Sequence, residues 1–262
     1  MYNFEFEKPG TVADAVAALG AEEAQALGGG QTLIPTLKQR LAMPSKLVSL
    51  SGIAEMKGVS AEGGVLTIGG GTTHATVAAE AADAYPALAA LAGNIGDPAV
   101  RNRGTIGGSL ANNDPSACYP AAALGSGATI VTNAREIAAD DYFQGMFTTA
   151  LDEGEIITAV RFPVPEAANY QKFEQPASRF ALVGVFVAKT ADGVRVAVTG
   201  ASEDGVFRWS EAEQALDHDF RTDALMDLNV APGGMIGDLH GSKEYRAHLV
   251  KVLTKRAVEA MR

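Results

Sequence analysis

The sequence predicts an α+β protein rather than one doubly wound sheet. Strand-like and helix-like runs are segregated along the chain instead of alternating strictly. Ala191-Asp192-Gly193 forms a hairpin signal between two consecutive strand-like runs. The chain closes on a helical stretch from about Lys243 to Met261, with Leu249, Val252, Leu253, Ala257 and Val258 on one side.

Taken in order, Thr11 to Leu19 reads as a helix, with Thr11 as N-cap and Gly20 as its stop. Ala24 to Leu27 reads as a strand that runs into a glycine loop. Thr32 to Leu41 then reads as a helix started by that loop, because Leu33, Leu37 and Leu41 share a face. Lys46 to Leu50 is a second strand and completes a small first lobe. Val65 to Gly69 is a strand ending in Gly69-Gly70-Gly71. Thr73 to Ala82 and Tyr85 to Leu91 are alanine-rich helices, the second with Pro86 in its first turn. Ala128 to Thr132 and Glu155 to Phe162 read as strands, and the Pro163–Pro165 pair marks a boundary. Phe180 to Lys189 and Val194 to Thr199 are the two hairpin strands beyond it.

With 262 residues, 47% hydrophobic and 20% charged, the chain can bury a sizeable core in one to three lobes. A formal net charge of -10 argues against nucleic acid or an anionic membrane as partner. No start-proximal stretch resembles a signal peptide, and no run approaches the roughly 18 apolar residues of a membrane helix. A cytoplasmic location is the expectation. The lone cysteine, Cys118, excludes an internal disulfide and an iron–sulfur cluster held by this chain alone.

Two glycine-rich loops carry the chemistry, Gly28-Gly29-Gly30-Gln31-Thr32-Leu33-Ile34-Pro35 and Thr105-Ile106-Gly107-Gly108-Ser109-Leu110-Ala111-Asn112-Asn113-Asp114-Pro115. Consecutive glycines let backbone approach a ligand and turn amides towards an anionic group such as a diphosphate. The first loop lacks the lysine of a nucleoside-triphosphatase phosphate loop. It also misses the dinucleotide fingerprint, since Leu33 stands where the third glycine belongs, and Gly69-Gly70-Gly71 misses it likewise at His74. A glycine cluster between a strand and a helix start still suits an anion, though a simple tight turn explains it about as well. The second loop is more specific. Arg101 and Arg103 precede it, and Ser109, Asn112 and Asp114 offer short polar groups for ribityl or ribose hydroxyls. Surface ion pairs would account for at least one of the arginines, and a turn for Asp114 before Pro115. The four histidines, His74, His218, His240 and His248, show no metal-ligand spacing and read as surface residues. No catalytic constellation is visible, so any reactive atoms belong to a bound cofactor.

Gly29-Gly30-Gln31-Thr32-Leu33-Ile34-Pro35, Ile95-Gly96-Asp97-Pro98, and Arg101 through Leu110 resemble the FAD-binding medium subunit of molybdenum hydroxylases. This is the family of carbon monoxide dehydrogenase and xanthine dehydrogenase flavoprotein subunits. Gly154-Glu155-Ile156-Ile157, Arg161-Phe162-Pro163, Ala181 to Val185, Ser242 to Arg246 and Arg256-Ala257 resemble its later motifs in order, over essentially the whole chain.

The resemblance implies an FAD-binding fold of the vanillyl-alcohol-oxidase type. Two N-terminal lobes (1–57 and 58–168) would hold FAD, and a smaller C-terminal domain would follow (169–262). It also implies a dimer of heterotrimers, in which a small subunit carries [2Fe–2S] clusters and a large one the molybdenum cofactor. Electrons would pass through the clusters to FAD and on to an acceptor. Residue by residue, it places Gly28, Gly29, Gly30, Gln31, Thr32 and Leu33 on the diphosphate, with Arg103, Thr105, Gly107, Gly108 and Ser109 on its other side. Asp114 falls near the ribityl chain, and Lys172, by its place before the third-lobe strands, near the flavin ring, as does Phe180. Where the family commonly has a second aspartate after this loop, this sequence has Cys118; the resemblance implies that a hydrogen bond there is lost or supplied by Asn113.

Two other readings stand beside this one. A self-contained flavin oxidase or dehydrogenase would need its own substrate pocket, and no clustered acid–base residues support one. A non-enzymatic assembly module would use the loops only to shape an interface. The substrate of such a complex and its electron acceptor are not legible in this chain.

Overall fold

The computed structural model describes residues 1–261. It begins with β1 (Glu5–Glu7) and then α1 (Val12–Leu19), whose N-terminus is capped as its sequence dictates: the Thr11 hydroxyl accepts the Asp14 amide. β2 (Ala24–Leu27), α2 (Leu33–Lys38) and β3 (Lys46–Ser49) follow. The strands form a parallel three-stranded sheet in the order β1-β3-β2, and Ala15, Ala18 and Leu19 of α1 pack with Val48 and Ile53 beside it.

α2 ends earlier than its leucine spacing predicts. Arg40 takes a left-handed φ of 60°, and the Leu41 amide returns to the Thr36 carbonyl, a Schellman-type stop. Leu41 is therefore left exposed rather than on a buried face.

The second sheet is antiparallel, with the order β4-β5-β10-β6-β7. β4 (Val59–Glu62) and β5 (Val65–Gly69) are joined by Gly63-Gly64, both at positive φ as a two-residue hairpin requires. Helices α3 (His74–Glu80), α4 (Pro86–Gly93), α5 (Pro98–Arg101), α6 (Ile106–Asn112) and α7 (Tyr119–Ser126) intervene. Thr73, Asp97 and Thr105 cap α3, α5 and α6 through side-chain oxygens. β6 (Thr129–Thr132), β7 (Glu136–Ala138), α8 (Ala139–Tyr142), the small hairpin β8 (Phe143–Gly145) and β9 (Thr148–Thr149), and β10 (Ile157–Pro163) complete this part. Leu66, Ile68, Ile130, Val160 and Phe162 point from the sheet into a core shared with Tyr85, Leu88 and Leu91.

A four-stranded antiparallel meander follows: β11 (Ala167–Glu174), β12 (Ala181–Thr190), β13 (Gly193–Ser202) and β14 (Gly205–Arg208). Two helices, α9 (Ser210–His218) and α10 (Lys243–Ala260), cover one of its faces. β12 is buried on both faces from Ala181 to Ala188. Val185 and Val187 face α9 and α10, whereas Phe186 and Ala188 join the core of the second sheet. Phe186 meets Tyr85 edge-on at 6.3 Å. This shared layer fixes the meander against the glycine loops.

Candidate functional site

The glycine clusters of the sequence, separated along the chain, meet at one seam. Gly29 lies directly on the Arg103 carbonyl, so close that a Cβ there would overlap it. A Cβ on Gly28 would stand 3.0 Å from Thr105 Oγ1, and one on Gly107 would stand 2.6 Å from the Gly70 carbonyl. Backbone bonds close the seam: Gly107 N donates to Gly70 O (2.9 Å), Ile106 N to Thr72 O (3.1 Å) and His74 N to Gly104 O (2.9 Å). The glycines thus first let three loops touch at backbone distance.

The two principal loops differ in what they leave for a ligand. In the second, the amides are already used. Gly107 bonds Gly70, Gly108 bonds the Thr105 hydroxyl (3.1 Å) and Ser109 bonds the Thr105 carbonyl (3.0 Å). In the first, the Ile34 amide bonds Gly30 O and starts α2. Ahead of it, the Gln31, Thr32 and Leu33 amides have no acceptor among the described residues, and no side chain caps the helix. Gly30, at φ 72°, turns the chain into this row. The first loop therefore supplies donors. The second supplies the Thr105 and Ser109 hydroxyls and the exposed backbone of Gly108.

This arrangement fits an anionic, extended ligand. The diphosphate of FAD would accept from the Gln31–Leu33 amides, and bare backbone at Gly108 admits the ligand without a side chain in the way. Arg103 is exposed at the same seam. Arg101 makes no ion pair among the described residues; its Nη1 donates instead to the Ile95 and Gly96 carbonyls at 3.1 and 2.9 Å.

Residues 2–165 match the family model described as the FAD binding domain in molybdopterin dehydrogenase. The carbon monoxide dehydrogenase medium chain of Afipia carboxidovorans is 35% identical over 98% of this chain and 96% of its own. The chain belongs to this family. The nicotine 6-hydroxylase medium subunit of Paenarthrobacter nicotinovorans is 34% identical over 97% of this chain and 95% of its own. Reconstituted CO dehydrogenase from Oligotropha carboxidovorans superposes with a TM-score of 0.90 at 31% identity, covering 99% of this chain and 98% of that one. The α+β fold expected from the sequence is that of these flavoprotein subunits. FAD is the cofactor of this family of oxidoreductase chains.

The remaining sequence-derived candidates of this family member fall into different settings. Asp114 sits just past α6, where its Oδ1 accepts the Ser116 amide at 2.8 Å in a tight turn. Asn113 is buried at a left-handed φ of 43°. Its Nδ2 donates to the Gly145 and Thr148 carbonyls at 2.8 and 2.9 Å, so both amide hydrogens hold the β8–β9 hairpin. Phe180 is exposed immediately before β12.

Lys172 lies within β11, not before the third-lobe strands, and its side chain is 1% exposed. Nζ donates to Asn94 O (2.6 Å) and Arg179 O (3.0 Å), pairs with Glu174 (3.6 Å) and reaches Cys118 Sγ at 3.9 Å. Burial pushes the Cys118 thiol up and the nearby Lys172 charge opposes it. The buried Tyr170 hydroxyl lies beside the Cys118 sulfur. Position 118 thus faces a buried cation, a relation the sequence alone did not reveal.

His74 also departs from the sequence reading. Three of the histidines are exposed, but His74 is buried beneath the glycine seam, its ring 5.3 Å from that of Tyr119. Burial, helped by the Arg101 charge, pushes its pKa down to about 4. The His74 Nδ1 and the Tyr119 hydroxyl are both buried without partners. A helix-start histidine directly after Gly69-Gly70-Gly71-Thr72-Thr73 was the available signal, because a loop closing against backbone brings its next side chain inside.

Among the described residues, no group of His, Cys, Asp and Glu could hold a metal ion. None of their helices is long and apolar enough to cross a membrane.

Proposed function

We propose that this chain is the flavin electron-transfer subunit of a molybdenum hydroxylase, with FAD laid across the glycine seam. FAD, when bound, supplies a carrier that takes up electrons singly from an iron–sulfur centre and delivers them to an acceptor. The observation that carries the reading is the row of unpaired Gln31, Thr32 and Leu33 amides beside the exposed Gly108 backbone. On a chain of net charge -10, an anion needs such local donors against the overall field.

The chain's own residues bind and orient. Gly28 to Gly30 bring the first loop onto the second, and Gln31 to Leu33 hold the diphosphate. Thr105, Gly108 and Ser109 line its other side, with Arg103 at the rim, and Gly107 supports them from beneath, packed on Gly70. Asp114 keeps one carboxylate oxygen for a ribityl hydroxyl. Lys172 orders the chain between β11 and β12 rather than reaching out, since its donors are already engaged. Lobes 1–57 and 58–168 would form the flavin cradle and 169–262 the third lobe.

A small subunit with two [2Fe–2S] clusters and a large subunit with the molybdenum cofactor would complete a heterotrimer, paired into a dimer in the cytoplasm. Relatives named as medium chains and medium subunits support that division, as does the single cysteine here. The test is anaerobic mixing of the FAD-loaded chain with its chemically reduced small subunit. Bleaching of the flavin absorbance is expected. A bound complex that leaves the flavin oxidised would overturn the electron-transfer role.

A further inference from the structure

Cys118, Lys172 and Tyr170 form a buried cluster at the start of α7. Cys118 is 6% exposed and is the only cysteine of the chain. Lys172 Nζ lies 3.9 Å from its sulfur. Glu174 stands 3.6 Å from the same Nζ. The Tyr170 hydroxyl is buried beside the same sulfur. A sulfenic acid on most redox-active cysteines is resolved by a second thiol, and this chain has none. The amine of Lys172 is a nucleophile within reach of the sulfur.

We propose that Cys118 and Lys172 form an oxidant-triggered covalent bond, a sulfenamide crosslink between β11 and the start of α7. The oxidant is hydrogen peroxide. In the first step the Cys118 sulfur attacks one peroxide oxygen and the O–O bond breaks. Sulfur loses two electrons and becomes a sulfenic acid, and the other oxygen leaves as water by taking up the proton that the thiol gives up. In the second step Glu174 takes a proton from the Lys172 ammonium, and the neutral amine attacks sulfur. The S–N bond forms, the S–O bond breaks, and the departing hydroxide leaves as water with a proton from the attacking nitrogen. Tyr170 is placed to donate a hydrogen bond to that leaving oxygen. In balance, thiol, amine and one peroxide give the sulfenamide and two waters.

The bond has a structural consequence. Drawing Nζ onto sulfur takes its hydrogen bonds away from Asn94 O and Arg179 O. Arg179 ends a turn that is otherwise closed by its own amide on Gln175 O and the Gln175 amide on Phe180 O. The segment 175–179, largely exposed and next to Phe180, would loosen. Peroxide reaches the cluster by local opening of this same short cover.

The test is peroxide treatment of the full chain, followed by intact mass and peptide mapping without reductant. The expected result is loss of two hydrogens, with the Cys118 and Lys172 peptides joined and the change reversed by dithiothreitol. Hydrogen exchange at 175–179 should rise with the joined fraction. Free Lys172 beside Cys118 recovered as thiol, sulfinic or sulfonic acid would overturn the proposal. A joined pair that retains an oxygen would overturn the direct S–N step. In Lys172→Met, Cys118 should instead advance to the sulfinic and sulfonic acids. The wild-type masses decide the matter even if that variant folds poorly.

Discussion

Gly29 and Gly108 share a motif type but answer different constraints, and substitution should separate them. A Cβ on Gly29 would overlap the Arg103 carbonyl, whereas one on Gly108 meets only its own capping Thr105 hydroxyl at 2.9 Å. Gly29→Ala should destabilise the fold by about 1–3 kcal/mol through overpacking, read as a shifted urea midpoint. Gly108→Val should weaken FAD binding far more than it lowers that midpoint. A Gly29→Ala chain with unchanged stability would show that the loops are not in backbone contact. His74 gives a second prediction at this scale. Its folded pKa, about 4, lies below the ordinary 6.5, so the unfolded chain binds the proton more readily. Stability is whole above pH 6.5 and is lost as pH falls towards 4, by up to about 3 kcal/mol. Urea midpoints at pH 7 and pH 5 should diverge in the wild type and converge in His74→Gln; an equal pH dependence in both would count against it.

Helices and strands were legible where local chemistry decides them. Thr11 and Thr73 sit where N-caps belong, Pro86 opens α4, and Ala191-Asp192 turns β12 into β13. They were illegible where tertiary packing decides. α7 is buried at every residue from Tyr119 to Ser126, so it has no polar face to give a helical period. β11 is half-buried along nearly its whole length and shows no alternation. At the site, the two loops and their ligand class could be read from the sequence. The use of the second loop's amides within the fold could not, because it depends on Gly70 and Thr72 arriving from another element. Arg246 was equally hidden. This α10 residue is buried, donating to the Leu182 and Gly200 carbonyls and to Asp238, each at 2.7 Å. Arg246→Met leaves two buried carbonyls unpaired and should cost about 3 kcal/mol. Hydrogen exchange should then quicken around residues 235–241; a loss below 1 kcal/mol would mean that water replaces the clamp about as well.

At the scale of the molecule, the meander is a shared wall rather than an appendage. Its β12 contributes Phe186 to one core and Val185 and Val187 to another. Unfolding should therefore be a single transition. The only tryptophan, Trp209, is buried in the C-terminal core, so its fluorescence and the far-ultraviolet circular dichroism should report the same midpoint. Separated midpoints would show independent lobes. The same wall presses on α7 and so holds the second glycine loop against the first, which makes the cradle a property of the whole chain. The central claim is that this cradle holds FAD by the backbone of Gln31, Thr32 and Leu33. Hydrogen exchange of those amides during titration of the flavin-free chain with FAD tests it most directly. The expected result is saturation near one FAD per chain with strong protection of those amides. Failure to bind FAD, or binding that leaves their exchange unchanged, would contradict it.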